Sequence, residues 1–121
     1  MQSSVRVINP VFVEAAGNKP KQIAEHIGRV ASGDAQVSIA KMNSPEGWIE
    51  PPQTPAFDEY TLVLRGELHV TTAGGTEVVR AGQALCVPRG TRAQYSTPSR
   101  DGAEYVAVCC PAFGPELSHR E

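Results

Sequence analysis

Glycine and proline interrupt this chain along its whole length, and that punctuation limits what it can fold into. There are 11 glycines and 10 prolines among 121 residues, with short runs rich in Val, Leu, Thr and Tyr between them. Proline fixes φ and removes a backbone donor, whereas glycine supplies the positive φ that tight turns need. The spacing predicts many short strands joined by turns, the pattern of a β-sandwich or barrel. Strands are expected over 37–42 (VSIAKM), 59–65 (EYTLVLR), 68–72 (LHVTT), 76–80 (TEVVR), 84–87 (ALCV), 93–96 (AQYS) and 104–109 (EYVAVC). Gly66-Glu67, Ala73-Gly74-Gly75, Ala81-Gly82-Gln83 and Pro88-Arg89-Gly90 read as the turns between them. Residues 21–31 (KQIAEHIGRVA) are ambiguous. Ile23, Ile27 and Val30 fit helical spacing, while Gly28 and the Gly33-Asp34 turn favour an extended segment, paired with a partner subunit. Residues 111–121 (PAFGPELSHRE) are expected as a polar tail over the surface.

The length suits one domain over 1–121, with no repeat. Basic and acidic residues nearly balance, 11 against 13. No cationic face for phosphate backbones is evident, so nucleic-acid binding is not expected. The longest apolar run falls far short of a membrane span. The N-terminus MQSSVRVINP lacks the apolar core of a signal peptide. A cytoplasmic protein without membrane partners is expected. The three cysteines, Cys86, Cys109 and Cys110, do not suggest a disulfide framework. On a strand, Cys109 and Cys110 would point to opposite faces. Two or three of them are expected as buried thiols serving as small apolar side chains. Neither a phosphate loop of the GxxxxGK type nor a GxSxG nucleophile elbow is present.

Gly47, Glu59 and Gly66 form one spaced set, and Gly82, Pro88 and Gly90 a second. Together, with a strand pair between them, they carry a resemblance to the cupins. The motif-bearing stretch runs over 47–97. The chain looks like a single-domain bacterial cupin related to ethanolamine-utilisation EutQ-like proteins. The resemblance implies an all-β fold, a cupin jelly-roll barrel (double-stranded β-helix) of two antiparallel sheets, commonly dimeric. The departures from the family motif matter as much as the matches. Its histidines fall here at Gln53, Pro55 and Ala93, and its asparagine at Thr97. Of the family's metal ligands only Glu59 remains. Pro and Ala offer no donor, and a carboxamide is a poor replacement for imidazole on a transition metal. No metal and no other cofactor is therefore expected. His26, His69 and His119 do not obviously replace the lost ligands. His69 has the opposite strand parity to Leu68 and Val70, which should face inward.

If Glu59 points inward, as its family counterpart does, so do Thr61 and Val63, and Tyr60, Leu62 and Leu64 face out. An inward Ala93 likewise implies an inward Tyr95. Gln53 should lie near Glu59, with Trp48 and Phe57 as an apolar lid and Arg92 flanking the mouth. The candidate site is thus Glu59 and Tyr95 as acid/base groups, with Gln53, Thr61, Trp48, Phe57 and Arg92 as ligand-binding groups. Such a mixture of carboxylate, amide, phenol and apolar walls suits a small polar organic molecule. Desolvation would raise the pKa of Glu59 and make it a useful general base. The same residues also fit a satisfied polar network that keeps a barrel in register. Asp58, beside Glu59, should be solvated. Three functions remain open: a metal-independent small-molecule binder; a metal-independent isomerase, lyase or cyclase using Glu59; and a metalloprotein with unexpected ligands such as His26 or a cysteine. The outward Tyr60, Leu62 and Leu64 row predicts a homodimer.

Overall fold

A computed structural model describes residues 4–121. Part of the N-terminal stretch searched for a leader, Met1 to Ser3, lies outside the described residues. The elements are β1 (Val11–Val13), β2 (Gln22–Ile27), β3 (Ser38–Ser44), β4 (Trp48–Ile49), β5 (Asp58–Thr72), β6 (Gly75–Arg80), β7 (Ala84–Val87), β8 (Gln94–Thr97), β9 (Ala103–Cys110) and α1 (Pro115–Ser118). All strand pairings are antiparallel. One sheet runs β1-β2-β3-β9-β5-β7, and the other runs β6-β5-β8-β4. The architecture is the expected all-β one, two antiparallel sheets curled around a shared interior. No described helix is long and apolar enough to cross a membrane.

The sheets meet in β5, a strand of 15 residues whose first half belongs to one sheet and whose second half belongs to the other. This corrects the expected turn at Gly66-Glu67. There the strand bends without reversing, and Gly66 still pairs with Ala103 of β9. Glycine is needed for close approach. A Cβ at Gly66, where φ is 77°, would lie 2.1 Å from the Gly102 carbonyl oxygen. Just before it, the register of β5 against β9 shifts between Val63 and Arg65, a β-bulge. The bulge changes which residues face inward: Thr61 and Val63 before it, Leu68 and Val70 after it. Val63, Leu68, Val70, Val79, Val87, Ala103 and Tyr105 form the core with Trp48. Leu68 is fully buried, so truncating it to Ala costs about 2–5 kcal/mol.

Two segments depart from expectation. Residues 21–31 do form a strand, but its partners lie within the chain. From Ile23 to Glu25 both edges of β2 are occupied, by β1 and by β3. The C-terminal segment is fixed in place rather than draped. Ala112 and Ser118 are buried. Ala56 N–H donates to the Leu117 carbonyl at 2.8 Å, and Glu121 N–H to the Pro52 carbonyl at 2.9 Å. Of the cysteines only Cys109 is buried; Cys86 is exposed on β7 opposite Tyr60, because its parity carries it to the outer face.

Candidate functional site

Strand alternation builds one polar wall between the sheets. β3 turns Ser38, Ala40 and Met42 inward, β5 turns Glu59 and Thr61, and β9 turns Tyr105, Ala107 and Cys109. From the opposite side come Trp48 and Glu50, then Gln53 and Tyr95. Lys21, just ahead of β2, and Arg120, from the C-terminal segment, complete the wall. Together they enclose a cavity of about 90 Å³. That is room for a handful of water molecules or one small organic molecule.

The centre of the cavity is a carboxyl–phenol pair. Tyr95 OH donates to Glu59 Oε1 at 2.8 Å, and Cys109 Sγ lies 3.9 Å from Glu59 Oε2. Enclosure in the barrel pushes the Glu59 carboxyl up, opposed by the Tyr95 hydrogen bond and then by Lys21. The surface Glu59 retains faces the cavity. Burial and the neighbouring Glu59 charge push the Tyr95 phenol up, so it remains a donor. Burial also pushes the Cys109 thiol up, ahead of the Glu59 charge, which keeps it neutral and unreactive.

A second group of charges lies beside this pair. Glu50 is 7% exposed, and burial pushes its carboxyl up to about 7 against the pull of Lys21 and Arg120. Arg120 Nη2 lies 3.8 Å from Glu50 Oε2 and donates to Gln53 Oε1 at 3.4 Å. Lys21 Nζ sits 3.9 Å above the Trp48 ring centre and donates to Tyr105 OH at 3.1 Å. Burial lowers its pKa to about 8, although Glu50 and Glu59 act in the other direction.

The structure places Glu59, Tyr95, Gln53, Thr61 and Trp48 together on the cavity wall. Trp48 is not a lid. It is 1% exposed, and its Nε1 donates to the Ala16 carbonyl at 3.1 Å. Phe57 does not reach the cavity; it is fully buried against Phe113, ring centres 5.8 Å apart, because the C-terminal segment folds over it. Arg92 points to solvent and forms a two-pronged pair with Glu121 at 2.6 and 2.9 Å, so it does not flank the ligand space. Asp58 faces away and is bound by Arg89, whose hydrogen bonds hold its carboxyl below the usual range.

Sequence reasoning missed Lys21, Glu50, Tyr105 and Arg120. Parity offered a signal for Glu50, two residues beyond inward Trp48, and for Tyr105, two before inward Ala107. Arg120 had no comparable signal, since it arrives from a segment with no strand period.

Gln53, Pro55, Ala93 and Thr97, which spacing sets against the family's ligands, make mostly backbone contacts. Gln53 and Ala93 exchange two backbone hydrogen bonds, at 3.0 and 2.9 Å. Pro55 accepts from Gly90 N–H at 2.8 Å through its carbonyl, and the Thr97 hydroxyl donates to the Pro45 carbonyl at 2.8 Å. Among the described residues, no three His, Cys, Asp or Glu side chains gather as a metal-holding group.

The fold and sequence both have known counterparts. The chain is 43% identical over 101 residues to a Myxococcus xanthus protein described as endoribonuclease YbeY, covering 84% of this chain and 34% of that protein. It is 39% identical over 56 residues to acetate kinase EutQ of Salmonella typhimurium, covering 46% of this chain and 24% of that protein. The chain therefore spans about a third of the first relative and about a quarter of the second. The crystal structure of a putative ethanolamine utilization protein from Salmonella typhimurium superposes with a TM-score of 0.67 at 21% identity, covering 89% of this chain and 100% of that one. The family model for the Cupin domain matches residues 40–109, well over half of the sequence, and the chain belongs to the cupin family.

Proposed function

We propose that this cupin binds a small polar organic molecule in the cavity without a metal ion. The observation that carries this reading is the Tyr95–Glu59 hydrogen bond, 2.8 Å long, facing an enclosed space of about 90 Å³. An enclosed cavity with a few convergent polar groups is the usual form of a small-ligand site. The donor set does not suit a transition metal, since Gln53, Pro55 and Ala93 stand where imidazoles would be needed and Glu59 is the one ligand left. Lys21 and Arg120 supply positive charge to the same space. They are proposed to orient the polar end of the ligand, with Trp48 and Met42 against its apolar part. Ribonuclease action, named for the Myxococcus relative, is not part of this reading, because the cavity is too small for a nucleic-acid strand.

A screen of small organic acids, amides and carbonyl compounds by thermal shift and ligand-observed NMR tests the proposal. Binders should raise the melting temperature of the native chain, and Trp48→Ala with Gln53→Ala should weaken them. Elemental analysis after incubation with Mn, Fe, Ni, Cu or Zn and desalting should find no stoichiometric metal. Retention near one metal per subunit would overturn the metal-independent reading. A second reading, an acid/base enzyme, is favoured by the raised pKa of both Glu59 and Glu50. Glu59→Gln separates the two: a binder keeps its ligand, whereas an enzyme loses turnover. The exposed apolar row on the outer face is proposed to pair with a second copy of the chain.

A further inference from the structure

We propose that Lys21 is an amine nucleophile, condensing with the carbonyl carbon of a small aldehyde or ketone held in this cavity. The inference rests on the small-molecule reading above and narrows it to one substrate class. Its basis is the company the amine keeps. A buried lysine that serves only as a charge partner sits against a carboxylate. Lys21 Nζ instead lies over the Trp48 ring at 3.9 Å, with Tyr105 OH at 3.1 Å and Met42 Sδ at 3.4 Å. Among the described residues it has no carboxylate within ion-pair distance. Glu50, Glu59 and Arg120 act on it from farther away. An apolar, aromatic setting with another cation nearby is what turns a lysine into a nucleophile. Burial supports this by holding the amine near 8 instead of 10.5. About a tenth of it is then neutral at pH 7, against roughly one part in three thousand for an ordinary lysine.

The chemistry balances without an oxidant or reductant. The neutral amine's lone pair attacks the carbonyl carbon, a C–N bond forms, and the C=O π pair moves onto oxygen. One N–H proton passes to that oxygen, giving the carbinolamine. A second proton delivered to the hydroxyl lets it leave as water while the nitrogen lone pair forms the C=N bond, and the remaining N–H proton returns to the acid that supplied the second one. The net change is R₂C=O + H₂N–Lys → R₂C=N–Lys + H₂O. Glu50 lines the same cavity but lies beyond ion-pair distance of the amine, so it would exchange these protons through the substrate oxygen or a water, and its pKa of about 7 suits that exchange near neutral pH. Cys109 is not the competing nucleophile, because burial and Glu59 keep it a thiol.

The chain has three lysines, Lys19, Lys21 and Lys41, which makes the test direct. The full chain is incubated separately with glyoxylate, pyruvate, propanal and acetone, reduced with cyanoborohydride, digested and analysed by mass spectrometry. At pH 7 at least one probe should label Lys21 about ten-fold faster than Lys41 or more. The rate at Lys21 should level off above pH 8. Lys21→Arg keeps the charge and should lose the label. The pH profile of the unaltered chain carries the same test should that variant fail to fold. Equal labelling of all three lysines overturns the inference. It also falls if the carbonyl probes raise the melting temperature without labelling Lys21; the cavity then binds them and the small-molecule reading stands. If no molecule of any class binds and Lys21 is unlabelled, both readings fall.

Discussion

Around the cavity the first sheet departs from the usual half-buried antiparallel sheet, which turns apolar residues in and polar ones out, by mixing polar groups into its inner face and leaving an apolar row on its outer one. Its inner face presents Glu59, Thr61, Ser38 and Cys109 to the cavity. Its outer face presents Tyr60, Leu62 and Leu64, each more than 40% exposed, beside Val106 and Val108 of β9. These opposed faces share the same strands, so no change of backbone separates them, only parity. The difference teaches that a residue's direction on a strand says which surface it serves, while its polarity says what that surface meets. A polar interior suits a polar guest, and an apolar exterior suits another protein surface.

The contrast is broken most strongly from the outside. Tyr60→Glu combined with Leu62→Glu should convert a dimer to a monomer in light scattering, weakening association at least 100-fold, or about 3 kcal/mol. A wild-type chain that is already monomeric at roughly tens of micromolar would remove the outer half of the comparison.

On the inside, stability should fall as pH rises from 5 to 7.5. Glu50 titrates near 7 when folded and near 4.5 when unfolded, so the folded state holds the extra proton between those values. The stability gained is present below pH 4.5 and lost as pH passes 7, at most about 3 kcal/mol. Glu59 is shifted in the same direction. Lys21, depressed to about 8, changes its contribution only above this window, and its sign is opposite. Chemical denaturation at both pH values should show the slope, and Glu50→Gln should flatten it. Tyr95→Phe should have a smaller effect, about 1–2 kcal/mol, by leaving Glu59 Oε1 without its donor. Its second sign is a further rise in the Glu59 pKa, readable by carboxyl NMR. Smallest of all, Arg92→Ala should leave ligand affinity unchanged, because its partner is Glu121 and not the cavity.

The fold was legible because glycine, proline and period-two alternation are local signals. Glu59 and Thr61 could be placed inside, and Tyr60 and Leu62 outside, from parity and a motif alone. Gly66 misled because a glycine followed by a polar residue reads as a turn. Its need for a bare backbone came from Gly102, which is 36 positions away in the sequence. Phe57 and Arg92 were misplaced for a related reason. Both are claimed by the C-terminal segment, through Phe113 and Glu121, and no local pattern announces that docking. Lys21 and Arg120 were missed because the positive charges of this site come from segments outside the motif.

Because β5 changes its inward parity at the bulge, its length there is constrained more tightly than its composition. With the bulge at Leu64 kept, deleting Glu67 would turn His69 and Thr71 toward the second sheet's core in place of Leu68 and Val70. Any single substitution in this stretch costs only its own contacts, whereas that deletion would exchange a whole face. Insertions and deletions should therefore be purged from this part of β5 during divergence, while the turn at Ala73 and Gly74, which only joins β5 to β6, should absorb them freely.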